Sequence, residues 1–157
     1  MLCRYQGAFL ALAFTMVAVF AGCGSDDPTS TQEVHYEAEG LVLVDSGVRF
    51  FRYFQGNIDS TGNNASHLEA KVGELTNHWG IRFLDSAGSE LAPPKTPDWK
   101  FTWVIADPTV LEVFQDPGEE GDFEFHLRGL KAGETTIILE ITHGEHADFR
   151  TKPIPVH

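Results

Sequence analysis

Cysteine is nearly absent from this 157-residue chain, which contains Cys3 and Cys23 and no others. Because both stand within the first 23 residues, the remainder can form no internal disulfide and no thiolate site for zinc or an iron–sulfur cluster. Basic residues are also scarce: 11 Lys and Arg stand against 23 Asp and Glu, for a formal net charge of −12. A surface of this sign repels phosphate backbones, so we expect no nucleic-acid partner.

The sequence also lacks the short motifs that mark common catalytic sites. It has no Gly-x-Ser-x-Gly nucleophile elbow, no glycine-rich phosphate loop and no His-Glu-x-x-His zinc motif. Carboxylates are numerous, but their pattern isolates no pair that would be buried together and divide acid and base roles. We therefore predict no catalytic residues and a protein that is not an enzyme.

The long apolar run lies near the N-terminus, over residues 8–20, and is shorter than the roughly 20 residues that span a bilayer. Arg4 precedes it and Ala21-Gly22-Cys23 follows it, an order typical of a secretory signal. The ending resembles the lipobox of bacterial lipoproteins, in which the cysteine is acylated. We expect a signal peptide over residues 1–22, lipidation of Cys23 and a disordered tether over 23–33. The alternative is an ordinary signal peptide with an incidental cysteine.

A lipid anchor would make the membrane a partner and place the protein in the cell envelope. The residue after the cysteine is Gly24, whereas lipoproteins that stay at the inner membrane have aspartate at this position. We therefore expect the outer membrane in a Gram-negative cell, with the domain facing the periplasm or the exterior. We expect a monomer.

From residue 34 onward the pattern is that of strands, with almost no helical period. Residues 40–54 contain two β-rich runs around a three-residue loop, Asp45-Ser46-Gly47. Seven short runs separated by turn residues follow, over 67–72, 78–84, 99–105, 110–114, 123–127, 135–142 and 147–156. This spacing predicts an all-β, immunoglobulin-like β-sandwich of about seven strands with an extra N-terminal β-hairpin. The single domain would cover residues 34–157, with the hairpin and its loop over 34–66 and the core over 67–157.

Three stretches resemble successive blocks of the bacterial immunoglobulin-like domain, group 2. They are VGELTNHWGIRFLDSAGSEL, WKFTWVIADPTVLEV and FHLRGLKAGETTIILEI. The resemblance covers residues 68–156 and is most specific at Asp107-Pro108-Thr109-Val110 and at residues 129–137. It implies an extracytoplasmic spacer or adhesion module, with Trp103 in the core. The added hairpin and the histidines and acids of the loops depart from that family.

The stretch Thr-His-Gly-Glu-His at residues 142–146 suggests a metal site at a hairpin tip. A two-residue loop would set His143 opposite His146, with Cβ atoms about 5 Å apart. Core packing favours a loop with an odd number of residues instead: three residues, 144–146, pair Ile141 with Phe149, and five would also keep Phe149 on the apolar face.

Immunoglobulin topology gathers the loops at 85–98, 115–122 and 143–146 at one end of the sandwich. Imidazole with carboxylate suits Zn²⁺ or Cu²⁺. The candidate metal ligands are His143, His146, Glu119, Glu120 and Asp122, with Glu145 and Asp85 at the same binding tip. The alternative is a solvated acidic loop and a polar turn that hold no metal.

Other histidines and tryptophans are assigned structural roles. His126 falls on the outer face of its strand with Glu124 and Arg128, and His78 begins its own strand. Both are expected toward the opposite end from the acidic loops, and His126 is a poor third ligand on that basis. Trp99 and Trp103 share one face and are expected in the interior.

These observations predict a lipid-anchored, extracytoplasmic binding or structural module that is not an enzyme and that meets a protein partner in the envelope. A metal-binding lipoprotein that uses the His-x-x-His loop for zinc or copper is the alternative. A passive spacer with no ligand is the second alternative.

Overall fold

The computed structural model describes residues 35–157 of the chain. The predicted signal peptide (1–22), the predicted lipidation at Cys23 and the predicted tether (23–33) lie outside the described residues. Between residues 35 and 157, no helix has the length and apolarity needed to cross a membrane.

The described chain is built of strands. In order they are β1 (Gly40–Asp45), β2 (Val48–Phe54), β3 (Asn57–Ile58), β4 (Trp79–Leu84), β5 (Glu90–Leu91), β6 (Trp99–Ile105), β7 (Leu111–Phe114), β8 (Glu124–Gly129), β9 (Thr135–His143), β10 (His146–Arg150) and β11 (Ile154–Val156). The larger sheet has the order β3-β2-β1-β4-β8-β7, with β5 paired to β4. In the smaller sheet β9 is central, with β6 on one side and β10 and β11 along the other.

The two sheets reproduce the strand order of an immunoglobulin-like sandwich. The run β4-β8-β7 corresponds to strands B, E and D, and the set β6, β9, β10 and β11 corresponds to C, F and G. The hairpin β1–β2 extends the larger sheet, because β1 pairs with β4 from Gly40 opposite Leu84 to Asp45 opposite Trp79. The predicted all-β sandwich with an added N-terminal hairpin is confirmed.

Two predicted strands differ from what is observed. The run 67–72 makes isolated bridges, which join Leu68 to Val156 and Val72 to Gly129 in parallel. The run 147–156 divides into β10 and β11 around Thr151, whose buried hydroxyl accepts from the Leu139 N–H at 3.0 Å.

The turn of the first hairpin is one residue shorter than predicted. Asp45 pairs with Val48, which leaves a two-residue turn of Ser46 and Gly47 at φ of 50° and 82°. Positive φ at both positions is the requirement of a type I′ turn, whose twist matches that of paired strands. The predicted three-residue loop at Asp45-Ser46-Gly47 is therefore wrong.

Aromatic rings fill the space between the sheets. Phe83 meets Phe123 and Phe149 edge to face, with centroids 5.4 and 6.0 Å apart. Such pairs add about 0.5–1.5 kcal/mol each beyond the burial of their area. Trp79 is the buried tryptophan, whereas Trp99 and Trp103 pack half-buried against the margin of the core.

Candidate metal centre

His78 and His126 face each other across two neighbouring strands of the larger sheet. Trp79 of β4 pairs with Phe125 of β8, so the next pair outward along the ladder is His78 and His126. Trp79 and Phe125 point into the core, and because side chains alternate along a strand, both histidines point outward. Their rings stack with centroids 4.8 Å and planes 11° apart. Strand pairing therefore brings two imidazoles together on the outer face.

One backbone contact fixes the tautomer of His126. Its Nδ1 lies 2.8 Å from the carbonyl oxygen of Thr76, which only accepts hydrogen bonds, so Nδ1 carries the proton. Thr76 is itself held on β8: its N–H donates to the Leu127 carbonyl, and its hydroxyl accepts from the Leu127 N–H, both at 2.9 Å. The lone pair of His126 Nε2 is thus available, in the arrangement usual for a metal-binding histidine.

The loop over residues 115–122 brings carboxylates toward these rings. The Glu119 N–H donates to the Asp116 carbonyl at 2.9 Å and closes a four-residue turn. Gly118, the third residue of that turn, has φ of 94°. Pro117 in the second position and glycine at positive φ in the third are the pattern of a type II turn. The sequence Asp-Pro-Gly-Glu therefore determines how Asp116 and Glu119 are presented.

A second turn and the side chain of Gln115 hold the loop against β8. The Asp122 N–H donates to the Glu119 carbonyl at 2.9 Å, and Gly121 has φ of 91°. The Gln115 amide donates to the carbonyls of Asp122 and Glu124 at 2.8 and 2.9 Å and accepts from the Gly121 N–H at 3.0 Å. These hydrogen bonds fix the conformation of the loop without the help of a ligand.

Three carboxylates converge on the two imidazoles. His78 Nε2 lies 3.3 Å from Glu119 Oε2 and 3.5 Å from Glu124 Oε2. His126 Nε2 lies 3.7 Å from Asp116 Oδ2. His78 belongs to two groups of three possible metal ligands, and within each group the ligand atoms lie within 4.8 Å of one another. One group is His78, Asp116 and His126, and the other is His78, Glu119 and Glu124. In tetrahedral zinc sites, bonds of about 2.0–2.1 Å put ligand atoms about 3.3 Å apart, so the distances from His78 Nε2 to Glu119 and Glu124 fit either a shared metal ion or ion pairs of the protonated ring.

The facing atoms of His78 and Glu119 are without hydrogen bonds. The two side chains are 36% and 38% exposed, but His78 Nε2 and Glu119 Oε2 are themselves shielded from solvent and have no hydrogen-bond partner. A buried polar atom left unpaired costs about 1–3 kcal/mol. Either a proton on His78 Nε2, which would make the contact an ion pair, or a metal ion bound between the two atoms would satisfy both.

The hairpin that suggested a metal site has a different register from the one favoured by core packing. His143 pairs with His146, so the turn is Gly144-Glu145, with Gly144 at φ of 59°. Phe149 still pairs with Ile141 because a bulge lies between Ala147 and Phe149. The favoured loop with an odd number of residues is therefore wrong.

The two hairpin histidines make a different contact from the one expected for metal ligands. The His143 ring stacks on Trp99, with centroids 4.4 Å and planes 8° apart. Within residues 35–157, the sets of three or more converging ligand atoms include neither His143 nor His146. A metal site at these two residues stays a prediction.

The remaining predicted site residues are placed as follows. Glu119 contacts His78, as described above. Glu120 accepts from the Gly118 N–H at 2.9 Å, and Asp122 contributes its backbone to the Gln115 contacts. The Asp85 carboxylate accepts from the N–H groups of its own turn at 2.9 and 2.8 Å, and Glu145 is exposed.

Sequence reasoning dismissed His78 and His126 as ligands because it placed them away from the acidic loops. That placement is wrong for residues 115–122, since Asp116 and Glu119 contact the two rings. A signal in the sequence could have found the pair. Strands B and E are neighbours in this topology, and each histidine is adjacent to a core aromatic residue, Trp79 or Phe125, so both histidines fall on the outer face. The sequence did not reveal that the loop folds back along the sheet.

Comparison of the chain with family models and with curated proteins gives no match. Among solved structures, the crystal structure of the S-layer protein SbsC domains 4 and 5 matches with a TM-score of 0.38 and 16% sequence identity. The match covers 59% of this chain and 47% of that one. At this distance function must be argued from the residues themselves.

Proposed function

We propose that this protein is an extracytoplasmic β-sandwich module that binds a divalent transition-metal ion, with Zn²⁺ as the first candidate. The ion would be held by His78 and His126, with carboxylates from Glu119, Glu124 and Asp116. The observation that carries the proposal is the solvent-shielded contact of His78 Nε2 and Glu119 Oε2 at 3.3 Å without a hydrogen bond. The location rests on the N-terminal sequence alone, with its signal-like run and lipobox-like Cys23.

The donor set indicates which metals fit. It offers imidazole nitrogen and carboxylate oxygen, and residues 35–157 contain no cysteine thiolate. This set suits Zn²⁺ and Cu²⁺, and by the general order of stabilities Cu²⁺ would bind more tightly than Zn²⁺. Thiolate-preferring Cu⁺ is a poor fit.

Metal binding gives the predicted non-enzymatic module a concrete activity. The side chains that carry the donor atoms lie on the outer face of a sheet and are partly exposed to solvent. This arrangement would let an ion enter and leave. The proposed role is therefore to bind or buffer a metal ion at the envelope.

Calorimetric titration of Zn²⁺ into the untagged full chain tests this function. We expect one site that binds below micromolar concentration in the unaltered protein. The variant His78→Ala/His126→Ala removes both nitrogen ligands and should weaken binding by about 100-fold or more. The matched control is His143→Ala/His146→Ala, which removes the hairpin histidines and should bind within about twofold of the unaltered protein.

The same pair of variants separates the competing hypotheses. Loss of binding only in the hairpin variant would move the site to His143 and His146. Weak binding that is equal in all three proteins would reject a metal function and leave the interaction module or the spacer.

A further inference from the structure

A groove of about 760 Å³ lies between the added hairpin and the segment that leads into β4. The hairpin supplies Asp45 and Phe50 on one side. The other side is formed by side chains from residues 64–77, with Trp79 at the inner end. The groove thus exists only because the hairpin was added to the immunoglobulin-like core.

The apolar part of the groove lining comes mainly from Phe50, Leu75 and Trp79. Phe51 pairs with Leu43 and Arg49 pairs with Val44, so a bulge leaves Phe50 between them without a partner in the ladder. The freed ring packs on Trp79, with centroids 4.7 Å apart. Leu75 remains 44% exposed at the same groove.

The rim of the groove is mainly acidic. Glu69 and Glu74 are well exposed there, at 82% and 68% of their side chains. Asp45 adds a third carboxylate, which accepts from the Asn77 amide. The basic groups on the rim are Lys71, 3.8 Å from Glu74, and the His67 ring, 3.5 Å from Glu69. A lining with an apolar part and an excess of carboxylates favours a ligand that combines an apolar group with positive charge.

Other classes of occupant fit less well. Trp79 is 6% exposed, so no open indole face is offered for a sugar ring to stack on. A second copy of this chain would bring another net charge of −12, and the chain's own residues 24–34 include three acids and no Lys or Arg. The volume lies within the range of about 300–1,000 Å³ that is typical of small-ligand sites.

We propose that this groove binds a short basic peptide segment of a partner protein. An apolar side chain of that segment would lie on Phe50 and Leu75, with flanking Lys or Arg residues against Glu69 and Glu74. None of the five residues of the proposed metal centre lines the groove, and the two sites adjoin at Thr76, whose carbonyl accepts from His126. We expect the peptide to bind whether or not a metal ion is held.

The test is an amide chemical-shift titration of the full chain with a synthetic peptide of sequence Lys-Leu-Phe-Lys, capped at both ends. We expect shifts concentrated at the groove and none with the matched peptide Glu-Leu-Phe-Glu. The variant Glu69→Lys/Glu74→Lys should bind the basic peptide about 10-fold more weakly. The control Glu134→Lys/Glu145→Lys makes the same change in net charge at exposed sites elsewhere and should bind within about twofold of the unaltered protein.

Four results would contradict the proposal. Equal weakening in both charge-reversed variants would show that overall charge, and not the groove, attracts the peptide. Shifts outside the groove, or equal binding of the acidic peptide, would show that the groove is not the site. Loss of peptide binding in His78→Ala/His126→Ala would contradict its independence from the metal centre.

Discussion

His78 Nε2 and Glu119 Oε2 lie 3.3 Å apart and shielded from solvent, an arrangement that is unfavourable while neither a proton nor a metal ion lies between them. A carboxylate and an imidazole nitrogen shielded from water are each deprived of solvation that the unfolded chain would have. Residues arranged for a ligand often reduce the stability of the ligand-free protein. A substitution that removes the unfavourable contact should therefore keep or raise the stability and weaken ligand binding.

The substitution Glu119→Gln should make this separation. The amide keeps the size of the side chain and can both donate and accept a hydrogen bond at the His78 ring, so we expect the unfolding free energy to stay equal or rise by about 1 kcal/mol. Zn²⁺ affinity should fall by about 10-fold or more, because a neutral amide is a weaker ligand. Urea denaturation and zinc titration of the same preparation measure both quantities. A variant that is clearly less stable and binds zinc as tightly would contradict this assignment of Glu119.

Asp107 belongs to the motif that resembles the bacterial immunoglobulin-like domain, and its role is local. The Thr109 hydroxyl and backbone N–H donate to one oxygen of the Asp107 carboxylate, at 2.6 and 2.9 Å. These bonds, helped by the charge of Lys131, hold the pKa of Asp107 below its ordinary value of 3.8. Because the folded-state pKa is depressed, the stabilisation is present above the unfolded-state pKa and is lost as pH falls through the folded-state pKa.

Thr109→Ala should therefore raise the pKa of Asp107 and reduce stability at neutral pH, with a smaller difference from the unaltered protein in strong acid. Thr109→Ser keeps the hydroxyl and should keep most of the depression. Carboxyl carbon chemical shifts followed from pH 7 to pH 2 give the pKa in each protein. An identical pKa for Asp107 in all three proteins would show that the hydroxyl contact does not set it.

Both hairpins solve the same conflict between turn and core. Each has a two-residue turn, and each contains a bulge that restores the apolar face, at Phe50 in β2 and at Asp148 in β10. Reasoning from the sequence assumed uninterrupted ladders and so inferred loops with an odd number of residues. The alternation of apolar residues located the strands. A bulge in a strand and an extra residue in the loop shift this alternation by the same amount, so the sequence pattern does not distinguish them.

The first turn offers a test at the level of the hairpin. Ser46 has φ of 50°, a conformation that asparagine adopts more readily, and Asn-Gly is the preferred pair in type I′ turns. Ser46→Asn should therefore raise the unfolding free energy by about 0.5 kcal/mol, whereas Gly47→Ala should lower it by about 1 kcal/mol. Urea denaturation of the two variants checks the sign of each change. Destabilisation by Ser46→Asn would show that the turn is not of this type.

At the scale of the whole molecule, sequence alone predicted the all-β sandwich and its added hairpin, but not which histidines and carboxylates lie together. Alternating apolar residues and closely spaced turns suffice for an all-β sandwich, because each strand must bury one face. The position of the site depends on how residues 115–122 fold back along β8, which is set by Gln115 and two turns. Strand periodicity carries no information about such a loop. The family resemblance, the lipid anchor and the envelope location stay predictions.

The most direct test of the central claim is to observe the imidazole nitrogens of the seven histidines by ¹⁵N NMR as Zn²⁺ is added to the untagged full chain. The structure predicts that one equivalent of zinc shifts Nε2 of His78 and of His126, while Nδ1 of His126 stays protonated against the Thr76 carbonyl. His143 and His146 should not respond at that ratio. A response from those two rings instead, or from none of the seven, would contradict the account.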